Sequence, residues 1–339
     1  MIVAQLVKPG HIEFHDRPVP TPGPGEVLLR VEAALTCGTD LKTYQRGHPM
    51  FPLPCLLGHE VSGTVAAAGP GAHFREGDAV ATVPTAPCLR CRLCLRGRES
   101  LCPAALGRVV LGAFAEYLLI PEHVVSTNTF LRPANITAAE AAALEPLACV
   151  MHGAARIDLQ HADSVLILGD GAISLLFAQV AKARGAARVA VAGRHESRLA
   201  VARQLGAHTF RQNTAEFGEQ TFEWTGGHGA DIVIECVGRP EVWESAFELV
   251  APGGELLAFG GCAMGTRASF DTYRVHYEEV DVKGAFHYGR ADVRAALDAL
   301  ESGAVRIAPL ITHERPLTQL MDALELALNR KAIKVAVQP

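Results

Sequence analysis

The sequence has no excess of positive charge, which a nucleic-acid-binding chain would need. It carries 31 lysines and arginines against 36 aspartates and glutamates, for a formal net charge of −5 at pH 7. A phosphate backbone is held by a basic surface, and this balance provides no broad one. We therefore expect no nucleic-acid partner.

The chain also lacks a secretory leader and any long apolar run. Residues 1–10 read MIVAQLVKPG, with neither the charged n-region nor the long apolar stretch of a signal peptide. No apolar segment approaches the roughly 20 residues that span a bilayer. These absences predict a cytoplasmic protein with no membrane partner.

The chain also lacks the even number of cysteines that complete disulfide pairing would need. Nine cysteines in a chain without an export signal argue against disulfides and favour metal binding. Four of them stand apart in apolar surroundings and are interpreted as small buried hydrophobic residues. These are Cys55, Cys149, Cys236 and Cys262.

Four other cysteines follow the spacing C-x2-C-x2-C-x7-C. They are Cys88, Cys91, Cys94 and Cys102. This spacing lets four thiolates converge on one tetrahedral ion, and four protein ligands leave no open position. The pattern predicts a closed, structural zinc site. An iron–sulfur cluster and four unligated thiols are the alternatives.

The ninth cysteine, Cys37, precedes a histidine and a carboxylate that complete a different kind of donor set. His59 and Glu60 follow it after a proline-rich connection. Zinc accepts sulfur, nitrogen and oxygen ligands, and three protein ligands leave a position for water or substrate. The three residues predict a catalytic metal site; taken singly, each also suits an ordinary core or surface position.

The length of the chain and its pattern of strands and helices indicate two domains. There are 339 residues, 49% of them hydrophobic and 20% charged. The first region alternates short strands with turns, and a capping box at Thr137–Glu140 opens a helical stretch. From Ser164 to about Gly289, apolar strands alternate with helices, which predicts right-handed βαβ units and a parallel sheet. Two helices and an ending strand follow.

A glycine-rich turn follows the first strand of that alternating region. Gly169 permits a tight turn, and Gly171 lets a pyrophosphate approach backbone amides at a helix N-terminus. Ala172 and Ile173 continue the turn toward an apolar-periodic helix and are assigned to the cofactor site with the two glycines. Ser174 stands where the dinucleotide fingerprint has glycine or alanine. The strand before and the helix after make a dinucleotide site the favoured interpretation.

The next strand ends without the acidic residue that marks NAD. Gly193 leaves space there, and Arg194, with Arg198 in support, supplies planar donors that match a phosphate. The pattern favours NADP(H) over NAD(H). In the alternative, Arg194 is a solvated surface residue and Glu196 reaches the ribose.

Taken together, these motifs resemble the zinc-containing medium-chain dehydrogenase/reductase family, and within it the sorbitol and threonine dehydrogenase branch. The resemblance covers essentially the whole chain and includes the segment Glu145-Pro146-Leu147. It implies an α/β fold in which a GroES-like β domain (residues 1–155 and 291–339) surrounds an inserted Rossmann domain, a doubly wound parallel sheet (residues 156–290). The family places its catalytic metal in the cleft between the domains.

The resemblance also implies roles for single residues. Cys37, His59 and Glu60 resemble the ligands of the catalytic zinc, and Glu145 resembles a carboxylate that binds the zinc directly or through water. A thiolate and one carboxylate already neutralise Zn²⁺, so we expect Glu145 to exchange with water or substrate. Cys149 is an alternative ligand, although a buried thiol suits it better.

Four further positions near the predicted metal match the family less uniformly. Asp40 resembles the carboxylate that orients the ligand histidine, and Thr39 resembles the hydroxyl that relays the substrate proton. Lys42 stands where many relatives have a relay histidine, and it would hold an anionic substrate group or reach solvent. His287 replaces an arginine of the polyol branch and is assigned to the cofactor side of the cleft.

The predicted function is a zinc-dependent oxidoreductase. It would transfer a hydride between a secondary alcohol of the polyol, sugar or amino-alcohol type and NADP(H), with two zinc ions per subunit, in a homodimer or homotetramer. Two rivals remain. A nucleotide-sensing regulatory protein would keep the fold without the chemistry, and a zinc metallohydrolase would not need the glycine-rich turn.

Overall fold

The computed structural model describes all residues 1–339 and divides into two compact units. The first comprises residues 1–148, 288–303 and 307–339, and the second comprises residues 149–287 and 304–306. The two boundaries were predicted after residues 155 and 290, in each case a few residues later along the chain than the structure places them. No helix is both long and apolar enough to span a membrane.

The first unit contains ten strands and most of the short helices. In chain order its elements are β1 (Ile2–Lys8), β2 (His11–Asp16), β3 (Val27–Leu35), α1 (Gly38–Arg46), β4 (Cys55–Leu56), β5 (Glu60–Ala68), β6 (Ala79–Thr82), α2 (Arg92–Leu95), α3 (Pro103–Leu106), β7 (Tyr117–Ile120), α4 (Glu122–Asn128), β8 (Thr129–Leu131), α5 (Ala138–Ala141) and α6 (Leu144–Ala154), the last of which crosses into the second unit.

The second unit continues with six strands and five helices, and the chain then returns to the first unit. These elements are β9 (Ser164–Leu168), α7 (Ala172–Ala183), β10 (Arg188–Gly193), α8 (Glu196–Gln204), β11 (His208–Arg211), α9 (Phe217–Trp224), β12 (Ala230–Glu235), α10 (Pro240–Glu248), β13 (Val250–Ala258), α11 (Thr272–Tyr277) and β14 (Asp281–Gly284), and then α12 (Arg290–Glu301), β15 (Ile311–Pro316), α13 (Leu320–Leu328) and β16 (Lys334–Gln338). Single turns of 3₁₀ helix span Glu99–Leu101, Ala308–Leu310 and Leu317–Gln319.

Strand register in the first unit brings three distant segments to one end of a sheet. The order of its seven-stranded sheet is β15-β16-β3-β5-β6-β8, with β7 also paired to β3. Leu35, the last residue of β3, pairs antiparallel with Glu60, the first residue of β5, and also lies opposite Ala336 of β16. Cys37, His59 and Lys334 all lie within two residues of these pairs, so the register places them together.

This register is held by an apolar core on the inner faces of the sheet. Seven of the nine residues of β3 are buried, and large side chains such as Leu29, Phe114 and Ile120 are almost completely shielded from solvent. At about 25 cal/mol per Å² of apolar surface removed from water, each such side chain contributes on the order of 2 kcal/mol. A slip of one residue would turn every side chain to the opposite face, so the core also fixes which residues meet at the sheet end.

The second unit is the predicted doubly wound domain. Its six strands are all parallel and run in the order β11-β10-β9-β12-β13-β14, so the topology reverses direction between β9 and β12. Ligands of such sheets bind beyond the carboxyl ends of the strands at this reversal point. The predicted α/β fold class, with its parallel sheet, is confirmed.

Candidate metal centre and nucleotide site

A thiol, an imidazole and a carboxylate meet at the end of the seven-stranded sheet. One potential ligand atom from each of Cys37, His59 and Glu60 lies within 4.8 Å of the others. His59 and Glu60 are buried, and Cys37 is half-buried at the N-terminal cap of α1. A mixed sulfur, nitrogen and oxygen set of this size matches the chemistry of a catalytic zinc site with an open position.

Asp40 contacts the backbone and the ring that position this cluster of three residues. One of its carboxylate oxygens accepts a hydrogen bond from the backbone N–H of Cys37 at 3.1 Å, and the other accepts one from Gly58 at 3.0 Å. The second oxygen also lies 3.5 Å from Nδ1 of His59. Contact at Nδ1 leaves Nε2 as the ring nitrogen for a metal, which is the usual arrangement of metal-binding histidines.

The charges around His59 favour a cation at this place. Burial lowers the pKa of His59, but the carboxylate of Asp40 and the thiol of Cys37 outweigh burial and raise the pKa well above its usual value. The pocket thus attracts a proton to the imidazole. A divalent ion binds neutral imidazole and thiolate, so it would take the place of that proton.

The structure adds a residue that the sequence analysis missed, Lys334 at the start of β16. Its ammonium contacts Oε2 of Glu60 at 2.5 Å and donates to the carbonyl oxygen of Thr36 at 3.2 Å. Lys334 is 3% exposed and Glu60 is completely buried, whereas Oε1 of Glu60 has no hydrogen-bond partner. A buried carboxylate oxygen without a partner is costly, and a metal ion would satisfy it.

Titration of this pair points to the same need for a cation. Burial raises the pKa of Glu60 to about 7; Lys334 opposes that rise, and the nearby carboxylate of Glu145 adds to it. Burial would lower the pKa of Lys334, yet Glu60, Cys37 and Glu145 together raise it. The lysine is therefore the firmly charged member, and Glu60 needs further positive charge on its open oxygen to ionise fully.

The remaining residues predicted at the metal differ in burial and in the element that carries them. Glu145, in the first turn of α6, is 8% exposed and close enough to influence Glu60. Thr39 is half-buried in α1, and Lys42 is exposed on the same helix. His287 lies beyond the end of β14 with a left-handed φ of 59°. The roles assigned to these residues stay predictions.

The four clustered cysteines form a compact lobe. Sγ of Cys91 lies 3.5 Å from Sγ of Cys94 and 3.9 Å from Sγ of Cys102. Zinc–sulfur bonds of about 2.3 Å in a tetrahedron require sulfurs about 3.8 Å apart, so the spacing fits one ion. Backbone amides lower the pKa of Cys88 to about 6, whereas burial raises that of Cys94 to about 12, so the thiols do not ionise alike without a cation.

The other cysteines were expected to be buried, and this expectation is only partly met. Cys55, Cys149, Cys236 and Cys262 are all half-buried.

The glycine-rich turn of the second unit forms a cradle at the start of α7. Gly169 adopts a φ of +115°, which disfavours any residue with a Cβ. Gly171 is the N-terminal cap of α7 and offers no side-chain cap, and a Cβ built there would meet nothing within 4 Å. Open space before uncapped helix N–H groups suits a pyrophosphate. Ser174 is buried and its hydroxyl lies 3.1 Å from the position of a Cβ on Gly169, so the turn tolerates the departure from the fingerprint.

The space at Gly193 is used by a residue that the sequence analysis passed over, Asp170. A Cβ on Gly193 would lie 2.5 Å from Cβ of Asp170. Oδ2 of Asp170 accepts from the backbone N–H of Arg194 at 2.8 Å, and from the backbone N–H and ring Nδ1 of His195, both at 2.9 Å. Gly193 therefore makes room for a carboxylate that belongs to the glycine-rich turn.

The charged side chains predicted to bind the ribose end of the cofactor differ in burial and in their ion-pair partners. Arg198 is buried with Nη1 3.6 Å from Oδ1 of Asp170, whereas Arg194 is exposed. Glu196, the alternative partner for the ribose, pairs with Arg203 and lies 3.1 Å from Arg211. Its carboxylate is thus already occupied by two guanidinium groups.

Two family models match different parts of this chain. The family described as alcohol dehydrogenase GroES-like domain matches residues 23–128, and the family described as zinc-binding dehydrogenase matches residues 172–302. The sorbitol dehydrogenase of Bacillus subtilis is 33% identical over 338 residues, which cover 97% of this chain and 94% of that protein.

Solved structures are similar over the full length. A zinc-binding dehydrogenase from Sinorhizobium meliloti, solved with NADP, has a TM-score of 0.90 and 30% identity, covering 100% of this chain and 99% of its own. An alcohol dehydrogenase from Escherichia coli CFT073, solved with NADH, has a TM-score of 0.89 and 26% identity, with 100% and 99% coverage. Similar folds thus bind either nicotinamide cofactor.

Substitution of Cys94 by serine tests the cysteine lobe. We expect Cys94→Ser to lower bound zinc by one equivalent per chain and to lower the melting temperature by several degrees, because a closed zinc site contributes directly to folding. Elemental analysis and thermal unfolding check both results, with Cys262→Ser as the control for loss of a thiol outside the lobe. Unchanged zinc content in Cys94→Ser would contradict a metal at this position.

Substitution of Lys334 tests the buried ion pair. In metal-depleted protein we expect Lys334→Met to lower the free energy of unfolding by about 3–5 kcal/mol, because removal of one partner leaves an uncompensated buried carboxylate. The double variant Lys334→Met/Glu60→Gln should recover part of this loss, since neither remaining group is charged. Urea unfolding measures both, and equal stability of the single and double variants would argue against the pair.

Proposed function

This chain belongs to the zinc-containing medium-chain dehydrogenase/reductase family, in its sorbitol dehydrogenase-like branch, and from that premise we propose its reaction. It transfers a hydride between a secondary alcohol, of the polyol, sugar or amino-alcohol type, and NADP(H). The observation that carries this proposal is the cluster of Cys37, His59 and Glu60, in which the buried Oε1 of Glu60 has no hydrogen-bond partner. A unit with a dinucleotide turn accompanies it in the same chain.

In the proposed reaction, Cys37, His59 and Glu60 hold the catalytic zinc. When bound there, zinc supplies Lewis acidity toward the oxygen of the alcohol. Asp40 orients the ring of His59 through Nδ1, and Lys334 holds Oε2 of Glu60, which leaves Oε1 for the metal. Both supporting residues are buried, so the donors are positioned before substrate arrives.

The proton and the hydride leave the alcohol by different routes. Thr39, half-buried at the start of α1, takes the hydroxyl proton and passes it outward. The carbon-bound hydride goes to the nicotinamide, which the backbone amides at Gly171, Ala172 and Ile173 help to hold through the pyrophosphate. Reduction of a ketone uses the same groups in reverse.

NADP(H) is proposed as the preferred cofactor because of the residues at the end of β10. Glycine at position 193 removes the acidic side chain that binds the ribose 2′-hydroxyl in NAD enzymes, and Arg194 is exposed beside it. A Sinorhizobium meliloti relative was solved with NADP, which supports the proposal, and an Escherichia coli relative was solved with NADH.

A panel of polyols, sugars and amino-alcohols, each assayed with NADP⁺ and NAD⁺, tests the proposed function. The absorbance of the reduced nicotinamide reports turnover, and elemental analysis reports zinc in the same sample. We expect turnover of at least one secondary alcohol, faster with NADP⁺. Tight binding of NADPH with no turnover across the panel would instead favour a nucleotide sensor.

Two substitutions test the catalytic metal directly. We expect Cys37→Ser and His59→Ala each to lower kcat by about 1,000-fold or more, since loss of the Lewis acid removes several kcal/mol of transition-state stabilisation. Nucleotide affinity should change less than about twofold, because the glycine-rich turn lies in the other unit. Cys55→Ser is the matched control and should retain activity. Normal turnover by either variant would remove zinc from the reaction.

A further inference from the structure

The pairing of Asp170 with His195 has a consequence for recognition of the nucleotide. Asp170 lies in the glycine-rich turn and His195 lies just beyond β10, so their bond joins the two segments that flank an adenosine ribose in this fold. Burial alone would raise the pKa of Asp170, but the backbone N–H and ring of His195, with the N–H of Arg194, lower it. The carboxylate is therefore firmly ionised.

Asp170 itself is poorly placed to bind a ribose hydroxyl. Its Oδ2 already accepts three hydrogen bonds, and its Oδ1 faces the guanidinium of Arg198. The side chain is only 9% exposed. A carboxylate occupied in this way supports neighbouring groups more readily than it recognises a ligand.

His195 has the opposite character. Its ring must donate through Nδ1, because the carboxylate of Asp170 accepts only. Nε2 has no hydrogen-bond partner in the protein, and the side chain is 39% exposed. The ring is thus held firmly at one nitrogen and presents the other at the surface.

The charges nearby favour a phosphate as the group that meets Nε2. Arg203 and Arg211 are paired with Glu196, and Arg198 lies beside Asp170, so the exposed guanidinium of Arg194 is the one without an acidic partner. An imidazole that already donates at Nδ1 donates at Nε2 only as the imidazolium. An incoming phosphate dianion carries the opposite charge to that form and would bind it by a charged hydrogen bond.

We infer that His195, oriented by Asp170, determines cofactor specificity by binding the 2′-phosphate of NADP(H) through Nε2, with Arg194 as its partner. This inference rests on the NADP(H) preference in the proposed function, and it does not depend on the proposed hydride transfer. It replaces Arg198 with His195 as the second phosphate-binding residue. Asp170 is a positioning residue, and it explains why position 193 is glycine.

The test measures binding of fragments that lack the nicotinamide, so that neither the metal nor turnover contributes. Calorimetry compares 2′,5′-ADP, which carries the 2′-phosphate, with 5′-AMP, which does not. The variant is His195→Asn, because the asparagine amide retains a donor for Asp170 near the place of Nδ1 and deletes Nε2. His161→Asn is the matched control, since His161 forms a similar exposed pair with Asp158 at 2.8 Å in the same unit.

We expect wild-type protein and His161→Asn to bind 2′,5′-ADP more tightly than 5′-AMP. His195→Asn should weaken 2′,5′-ADP about tenfold or more, as loss of a charged hydrogen bond does, and leave 5′-AMP within about twofold. NADPH and NADH binding should follow the same pattern.

Two outcomes would overturn the inference. Equal loss of both fragments in His195→Asn would show a structural role, and undiminished affinity for 2′,5′-ADP would show that His195 does not bind the phosphate. Neither outcome affects the proposed oxidoreductase, which fails only if the substrate panel shows no turnover. Tighter binding of 5′-AMP by the wild type would reject both His195 and the NADP preference while leaving hydride transfer to NAD intact.

Discussion

The buried balance of charge at the end of the seven-stranded sheet is the constraint on which the first unit depends. A thiol and two carboxylates, from Cys37, Glu60 and Glu145, approach one ammonium group, that of Lys334. With all of these groups ionised, a single divalent cation brings the set to neutrality. Asp40 is not a member of this set: it accepts from two backbone N–H groups and lies against Nδ1 of His59, where its negative charge adds to the attraction for a cation. From the sequence, a second carboxylate was expected to leave the metal site anionic. The positive charge of Lys334 offsets that second carboxylate.

The same lysine shows why the chain returns to its first unit after the nucleotide-binding unit. Strand β16 pairs with β3, and its first residue is Lys334, whose ammonium contacts Glu60 at the first position of β5. Residues nearly 300 positions apart therefore meet at one place, as the bond from Lys334 to Thr36 also shows. Contacts so distant in sequence are specified by strand register, and the register is specified by the apolar core. The core and the candidate site are thus linked, because a change in packing moves the residues proposed to bind the metal.

Much of the fold and of the candidate metal site could be predicted from the sequence alone. The features that could not be predicted escaped for a physical reason. The parallel strands β9, β10, β12 and β13 are buried on both faces and so appear as continuous apolar runs. The outer strands β11 and β14 are largely exposed and carry no such pattern, so they were not predicted. Donor types and their spacings predicted both cysteine-containing sites, and the structure brings each set of donors together. Lys334 was invisible because a lysine that opens a strand normally reaches solvent, and only its burial beside Glu60 sets it apart.

Asp170 and Gly193 extend that argument to the nucleotide unit. Considered singly, an aspartate in a glycine-rich turn would repel a pyrophosphate, and a glycine at the end of β10 would simply leave space. The structure joins the two, because the side chain of Asp170 fills the space beside Gly193 and turns toward the backbone of Arg194 and His195. The hydrogen bonds from these donors stabilise its negative charge. A residue's role here depends on its match to another residue 23 positions later, which only the fold brings into contact.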